Sequence, residues 1–203
     1  VQTCALPICE ELARRFGVTR AAVWKHVAKL ADWGLEVEAV PGTGYRLRQP
    51  VELFDADALR EAVSPNVAAH LDTVEVFGEL ASTNRHLLVA APAPGRMRVC
   101  LADFQTSGRG RRGRAWRTPL GAGLCLSTGW QFAGAPADLS ALTLAVGVVA
   151  RRAVQRVASV DIALKWPNDL VWDDRKLGGV LLEMTAEAQG GCYVVAGIGI
   201  NLA

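Results

Sequence analysis

The apolar residues change period several times along this 203-residue chain, and each change marks a predicted element. Residues 10–16 suit a short helix that Gly17 breaks. Thr19 then offers an N-cap for a second helix. Its Val23, Val27 and Leu30 share one face, while Arg20, Trp24, Lys25 and Lys29 take the other. After Gly34 the chain alternates strictly through Leu35-Glu36-Val37-Glu38, and Pro41-Gly42-Thr43-Gly44 turns it into Tyr45-Arg46-Leu47, a predicted hairpin. Helix, tight turn, basic helix and hairpin follow one another as in a winged helix-turn-helix. Residues 1–48 are therefore predicted to bind DNA, with Thr19, Arg20, Trp24 and Lys25 as the candidate contacts. The same pattern also fits a helical hairpin with a solvated basic face. A three-helix core needs one helix more, and residues 1–9 show no periodicity that would supply it.

Residues 49–64, with Pro50, are predicted to be a linker into a larger domain over 65–203. There, strands are expected at 74–77, 99–102, 124–130, 162–165, 170–172, 179–184 and 193–200. Ser82-Thr83-Asn84 can cap a short helix through Leu88, and the wide apolar stripe of 139–157 predicts a long core helix. Hairpin-length turns such as Asp173-Asp174 favour antiparallel pairing. The predicted fold is α+β, a mostly antiparallel sheet with helices on one face, preceded by the small winged helix-turn-helix.

Composition narrows the function. A net charge of only +2 confines any nucleic-acid contact to a local patch. Five cysteines without a Cys-x-x-Cys pair argue against metal or disulfide architecture and fit a reducing cytoplasm. His26, His70 and His86 show no spacing for metal or nucleophilic work. The longest apolar run, 141–150, is too short to span a bilayer and ends in Arg151-Arg152, and no signal-peptide pattern opens the chain. The apolar run 193–202 meets the last residue without a capping element, so the sequence reads as a fragment.

One segment stands apart. Gln105 to Trp116 sets Arg109, Arg111, Arg112 and Arg114 among Gly108, Gly110 and Gly113, between two predicted strands. Glycine lets backbone N–H groups approach an anion, and each guanidinium adds a planar fork for carboxylate or phosphate. Like charges and glycine entropy predict a loop that orders around its ligand. Arg/Gly runs that serve as nucleic-acid tails repeat and sit at chain ends, whereas this one is single and central. It therefore reads as a small-molecule site. Three further segments carry polar residues that a bare core does not need. They are Lys165-Trp166-Pro167-Asn168-Asp169, Arg175-Lys176-Leu177-Gly178-Gly179 and Gly197-Ile198-Gly199-Ile200-Asn201. Their glycines are expected to clear space for a ligand.

Taken in chain order, these motifs, with Ser82-Thr83-Asn84 and Gln105, resemble biotin protein ligases of the bifunctional, repressor-type class. The likeness runs from about Glu10 to the last residue, and the chain looks truncated at both ends. It implies a biotin–[acetyl-CoA-carboxylase] ligase that joins biotin to ATP, with Mg²⁺, as biotinyl-5′-adenylate. Biotin then passes to a lysine of a biotin carboxyl carrier protein. The likeness further implies a cytoplasmic, biotin-responsive repressor that binds operator DNA, with a homodimer as a further possibility and no membrane partner. Lys176, Arg111 and Arg114 would be catalytic. Ser82, Thr83, Asn84, Gln105, Gly108, Arg109, Arg111, Lys176 and Gly179 would bind biotin. Arg109, Arg111, Arg114, Trp116, Asn168, Asp169, Lys176 and Asn201 would bind ATP or the adenylate, and Asp169 would also hold Mg²⁺ unless it merely caps its turn. The rival readings are a ligand-sensing regulator without ligase activity and a lipoate or octanoate ligase-like enzyme.

Overall fold

The computed structural model describes residues 9–40, 44–134, 139–186 and 191–202. Residues 1–8 and the expected hairpin turn at 41–43 lie outside them. The chain divides into two units, Val1–Glu52 and Leu53–Ala203.

In the first unit, helix α1 (Cys9–Phe16) carries Glu10 and Glu11 in its first turn and Arg14 and Arg15 in its last, the order its dipole favours. Gly17, with φ 63°, ends it. Helix α2 (Arg20–Asp32) starts where expected, because Thr19 accepts a hydrogen bond from the Ala22 amide at 3.2 Å. Ala13 and Val23 are the buried residues of the two helices, and Arg20, Trp24 and Lys25 are exposed. Strands β1 (Val37–Val40) and β2 (Gly44–Leu47) pair antiparallel, with Val37 opposite Leu47. Thr19→Ala removes the cap and should cost about 0.5–2 kcal/mol, read as a lower denaturation midpoint of this unit.

In the second unit the expected linker is partly structured. Asp55 caps helix α3 (Ala56–Ala62) by accepting from the amides of Asp57 at 2.8 Å and Ala58 at 3.0 Å. The Phe54 amide donates to Asp103 Oδ1 at 2.8 Å, and Arg60 donates to the Val74 carbonyl at 3.1 Å. Local capping and these two long-range bonds override the loop signal of Pro50. Burial raises the Asp103 carboxyl above its ordinary value, against the smaller pull of the Phe54 amide. Helix α4 (Pro65–Ala68) follows.

The remaining elements are β3 (Leu71–Leu80), α5 (Thr83–Leu87), β4 (Met97–Gln105), β5 (Gly123–Phe132), α6 (Leu139–Ala158), β6 (Ala163–Lys165), β7 (Asp169–Trp172), β8 (Arg175–Ala186) and β9 (Cys192–Asn201). They build a seven-stranded sheet in the order β3-β4-β5-β9-β8-β7-β6. Its neighbours are antiparallel except β3 and β4, whose parallel pairing needs the crossover that contains α5. Asp173 and Asp174 both take positive φ between paired Trp172 and Arg175, the geometry of a two-residue hairpin.

Alternation along β9 decides what each face holds. Tyr193 and Val195 pack with Leu87 and Cys100, whereas Ile198 and Ile200 pack with Ala150, Ile162 and Leu170. Successive side chains point to opposite faces, so α6 covers one face and the short α5 lies on the other. The expectation of helices on one face thus holds for α6 and fails for α5. The parallel crossover that carries α5 to the second face has no local sequence signature.

Glu75 of β3 fastens α5 in place. Its carboxylate meets His86 Nε2 at 2.9 Å and Arg98 at 2.7 Å, and Arg98 also donates to the Ala90 carbonyl at 2.6 Å. Burial pushes the Glu75 carboxyl up, but the hydrogen bonds and charges of His86 and Arg98 together outweigh it and hold the group below its usual range.

Candidate active site

The site begins at the first turn of α5, whose Ser82, Thr83 and Asn84 are all buried. Ser82 caps the helix, accepting from the Arg85 amide at 3.5 Å. Gln105 ends β4, the strand beside β3, and its Oε1 accepts from the Thr83 amide at 2.8 Å and lies 3.1 Å from the Thr83 hydroxyl oxygen. With its oxygen taken, Gln105 has two N–H groups on Nε2, of which one serves the Cys125 thiol and the other is left for another partner. Asn84 lines the same wall, but its side chain bonds protein groups, namely Ser127, Leu181 and Glu183.

The arginine loop leaves β4 and closes on itself through its own backbone. The Gly110 amide donates to the Arg114 carbonyl at 2.7 Å, and the Trp116 amide to the Gly108 carbonyl at 2.9 Å. A single 3₁₀ turn, Arg111–Gly113, forms the tip, where Arg112 and Gly113 take φ of 58° and 73°. The left-handed pair reverses the chain in the space the glycine allows. Arg109, Arg111, Arg112 and Arg114 all line the cavity, and among the described residues none of them forms a salt bridge. Four guanidinium groups without a carboxylate partner concentrate positive potential at one mouth.

The opposite wall comes from the β6–β7 turn and the start of β8. Lys176 Nζ lies 2.7 Å from Asp169 Oδ1 and 6.0 Å from the centre of the Trp116 ring. Asn168 donates through its side chain to the Val180 carbonyl at 3.0 Å and accepts the Val180 amide on its own carbonyl at 2.9 Å. Asp169 is thus an ion-pair partner of Lys176. That assigns it a role beyond capping the turn after Pro167. Burial pushes the Cys125 thiol in the cavity up, against smaller opposing hydrogen bonds, so it offers no ready thiolate.

Together these walls enclose a cavity of about 540 Å³, in the range of small-molecule sites. One end is neutral and buried, at Thr83 and Gln105, and the other is cationic. Most of the sequence-predicted small-molecule residues line it: Ser82, Thr83, Asn84, Gln105, Arg109, Arg111, Arg114, Trp116, Asn168, Asp169, Lys176 and Gly179. Gly108 and Asn201 are not among the lining residues. A Cβ on Gly108 would sit 2.6 Å from the Trp116 carbonyl, and Asn201 donates to the Lys176 carbonyl at 3.4 Å. Thr19, Arg20, Trp24 and Lys25 belong to the first unit, where the Thr19 hydroxyl is committed to its cap.

The glycine-rich strands serve a purpose other than the one expected of them. A Cβ on Gly197 would meet Asn84 Oδ1 at 2.3 Å, on Gly199 the Trp116 ring at 2.6 Å, and on Gly178 the Gly199 carbonyl at 2.4 Å. These three clear space for protein groups. Gly179, whose Cβ would approach nothing closer than 3.4 Å, keeps the reading of ligand clearance. Sequence reasoning did not single out Trp166, 74% exposed at the cavity's edge, or the buried Ser127, or Glu183. Trp166 stands beside its motif's proline and could have been noticed. Ser127 and Glu183 look like ordinary strand residues and carry no local signal.

The comparisons with known proteins fit this geometry. The Biotin/lipoate A/B protein ligase family matches residues 78–201, more than half of the chain, and an HTH domain matches residues 9–46. The chain belongs to the biotin/lipoate protein ligase family. It is 39% identical to the bifunctional ligase/repressor BirA of Salmonella typhimurium (strain LT2), over 96% of this chain and 59% of that protein. Against the protein of the same name from Escherichia coli (strain K12) it is 38% identical, over the same shares of 96% and 59%. The chain therefore spans 59% of the length of these relatives. Among solved structures, the biotin protein ligase from Aquifex aeolicus in complex with biotin and ATP is similar with a TM-score of 0.53 and 30% identity, covering 64% of this chain and 53% of that one. Within this family, the α5 wall, the arginine loop and the β7–β8 wall all fall inside the matched residues. No helix among the described residues is long and apolar enough to cross a membrane.

Proposed function

We propose that this protein is a biotin–[acetyl-CoA-carboxylase] ligase and a biotin-responsive repressor. In the first reaction the biotin carboxylate attacks the α-phosphorus of ATP. A C–O–P linkage forms, the bond to the β-phosphate breaks, and pyrophosphate leaves. In the second, the amine of a lysine on a biotin carboxyl carrier protein attacks the acyl carbon, a C–N bond forms, and AMP leaves. An ATP-dependent reaction and free cysteines fit the cytoplasm. The observation that carries this reading is the polarity of the cavity, which offers neutral hydrogen-bonding groups at one end and, at the other, Lys176 with arginines that form no salt bridge among the described residues.

The first step brings two anions together, so positioning and charge neutralisation dominate. Lys176 and Arg111, aided by Arg109 and Arg114, would stabilise the charge that grows on the phosphate oxygens. Thr83 and Gln105 would hold the vitamin's uncharged head, and Gly179 would give it room. Trp116 and Asn168 would face the adenylate. The second step needs no nucleophilic side chain. Aminolysis of a mixed anhydride is downhill once the lysine is oriented and water excluded.

Mg²⁺ fits as an ion that arrives on the triphosphate. Asp169 is the carboxylate within the cavity, it shares one oxygen with Lys176, and no group of three metal-ligating side chains occurs among the described residues. Phosphate oxygens and water would supply the other ligands, and the ion would add positive charge beside the triphosphate.

For the first unit, the exposed Arg20, Trp24 and Lys25 on the second helix of a helix-turn-helix support operator binding, and a homodimer would suit a two-fold operator. Arg20→Ala and Lys25→Ala should each weaken duplex binding and reduce the salt slope by about 1, measured by titration at several salt concentrations.

The family also contains lipoate ligases, so the choice of acid is tested directly. Incubation with labelled ATP, Mg²⁺ and either biotin or lipoate should give pyrophosphate release with biotin. Release with lipoate alone would move the assignment to the lipoate branch, and binding without release would leave a sensor.

A further inference from the structure

The two side chains at the neutral end of the cavity, Thr83 and Gln105, are tied to a buried row of polar groups that runs away from the ligand. Ser127 of β5, fully buried, lies 2.7 Å from the Thr83 hydroxyl and 2.6 Å from Asn84 Oδ1. Asn84 Nδ2 in turn donates to Glu183 Oε2 at 2.8 Å and to the Leu181 carbonyl at 3.3 Å. Each hydroxyl has one proton, whereas the amide oxygens at the ends of the row can only accept. The row Asn84 Oδ1, Ser127 Oγ, Thr83 Oγ1, Gln105 Oε1 therefore has three gaps and two protons.

The spacing selects where the protons lie. The gaps at 2.6 and 2.7 Å are too short for two oxygens without a hydrogen between them, and the gap to Gln105 is the widest at 3.1 Å. Gln105 Oε1 is already served by the Thr83 amide at 2.8 Å. Ser127 then donates to Asn84 and Thr83 donates to Ser127. The Thr83 hydroxyl is left facing the cavity as an acceptor, beside the Gln105 Nε2 donor.

What fixes this direction is the far end. A carboxylate accepts and cannot donate, so Glu183 forces the amide nitrogen of Asn84 toward itself and the oxygen toward Ser127. Gly197 makes the arrangement possible, since a Cβ there would stand 2.3 Å from Asn84 Oδ1. We propose that Glu183, Asn84 and Ser127 form a relay that sets the hydrogen-bond polarity of Thr83. In this relay Asn84 is a positioning residue and makes no ligand contact itself. Thr83 would then accept from a ligand N–H while Gln105 donates to a ligand carbonyl. The inference rests on the biotin reading of the site.

The test is the Kd for biotin by calorimetry, with the Kd for ATP measured on the same samples. Ser127→Ala removes both hydrogen bonds of its hydroxyl, and Glu183→Gln removes the carboxylate that fixes which way the Asn84 amide lies; each should weaken biotin about tenfold with the ATP Kd unchanged, and Glu183→Gln should leave the thermal midpoint unchanged as well. Asn84→Asp sets a second carboxylate against Glu183 and should weaken biotin by at least about tenfold. Adding Glu183→Gln supplies an amide donor to that aspartate and should bring the Kd back to within about threefold of the parent. Generic loosening of the fold would lower the midpoint, weaken ATP as well, and show no such recovery.

An unchanged biotin Kd in Ser127→Ala and Glu183→Gln, or no recovery in the double variant, overturns the relay while the ligase reading stands. Loss of pyrophosphate release with the Kd pattern intact would overturn the ligase reading and support the relay. A parent protein that does not bind biotin would overturn both.

Discussion

Replacing Lys176 with alanine is expected to slow biotin-dependent pyrophosphate release by about 10²–10³-fold, the usual cost of removing one preorganised group that stabilises transition-state charge. The size follows from the neighbour as much as from the lysine. Lys176 Nζ sits 2.7 Å from Asp169 Oδ1, so the variant loses a cation and leaves a carboxylate facing the triphosphate. A second change separates the two effects. Asp169→Asn added to Lys176→Ala should recover ATP affinity, because the repulsion is gone, but not the rate. Lys176→Arg should keep the charge and lose part of the rate, because a planar fork cannot occupy the place of a compact ammonium. Rapid-quench measurement of pyrophosphate, with ATP binding followed separately, checks all three.

The second large effect comes from a residue without a side chain. Gly199→Ala would drive a Cβ to within 2.6 Å of the Trp116 ring. Neither party has room to give way. Gly199 lies inside the sheet, paired with Cys125 on one side and Gly179 on the other, and the Trp116 amide is bound to the Gly108 carbonyl at the base of the arginine loop. Overpacking of this kind costs about 1–3 kcal/mol, or several degrees of melting temperature for a domain of this size. Because Trp116 is the foot of the loop, affinities for biotin and ATP should fall together, by about tenfold or more. Trp116→Phe in the Gly199→Ala background removes the clashing atoms and should restore most of the melting temperature. If Gly199→Ala alone left stability and both affinities unchanged, the packing of Trp116 on β9 would not be what anchors the loop.

How much of this was legible in the sequence depended on whether the signal was local. The arginine loop announces itself, because four guanidinium groups among three glycines have few uses inside a globular chain. The helix at Thr19, the hairpin at Asp173-Asp174 and the long helix at 139–158 follow from caps, turn chemistry and periodicity that lie within a few residues. Helix α3 was missed because the capping signal of Asp55 sits in a stretch that Pro50 made resemble a linker. The parallel pairing of β3 with β4, and with it the placement of α5 on the second face, depends on the path of a crossover that no short window contains.

Roles within the site divide the same way. Lys176 and Asp169 each read as ligand groups alone, and only the pairing of β7 with β8 reveals them as partners. Asn84 joins residues 43 and 99 positions away, so neither Ser127 nor Glu183 could be recognised from its neighbours. Gly197 and Gly199 were expected to clear space for a ligand. What comes close is the protein itself, at Asn84 and Trp116.

The central claim is that guanidinium groups on the closed loop neutralise two negative reactants and hold the adenylate they form. Its most direct measurement is the yield and dissociation rate of biotinyl-5′-adenylate in Arg109→Ala and Arg111→Ala beside the parent protein. Each substitution is expected to lower the yield and speed dissociation by about tenfold or more, as loss of a charge-assisted hydrogen bond to phosphate or carboxylate implies. Parent-like yield and retention in both variants would contradict the account.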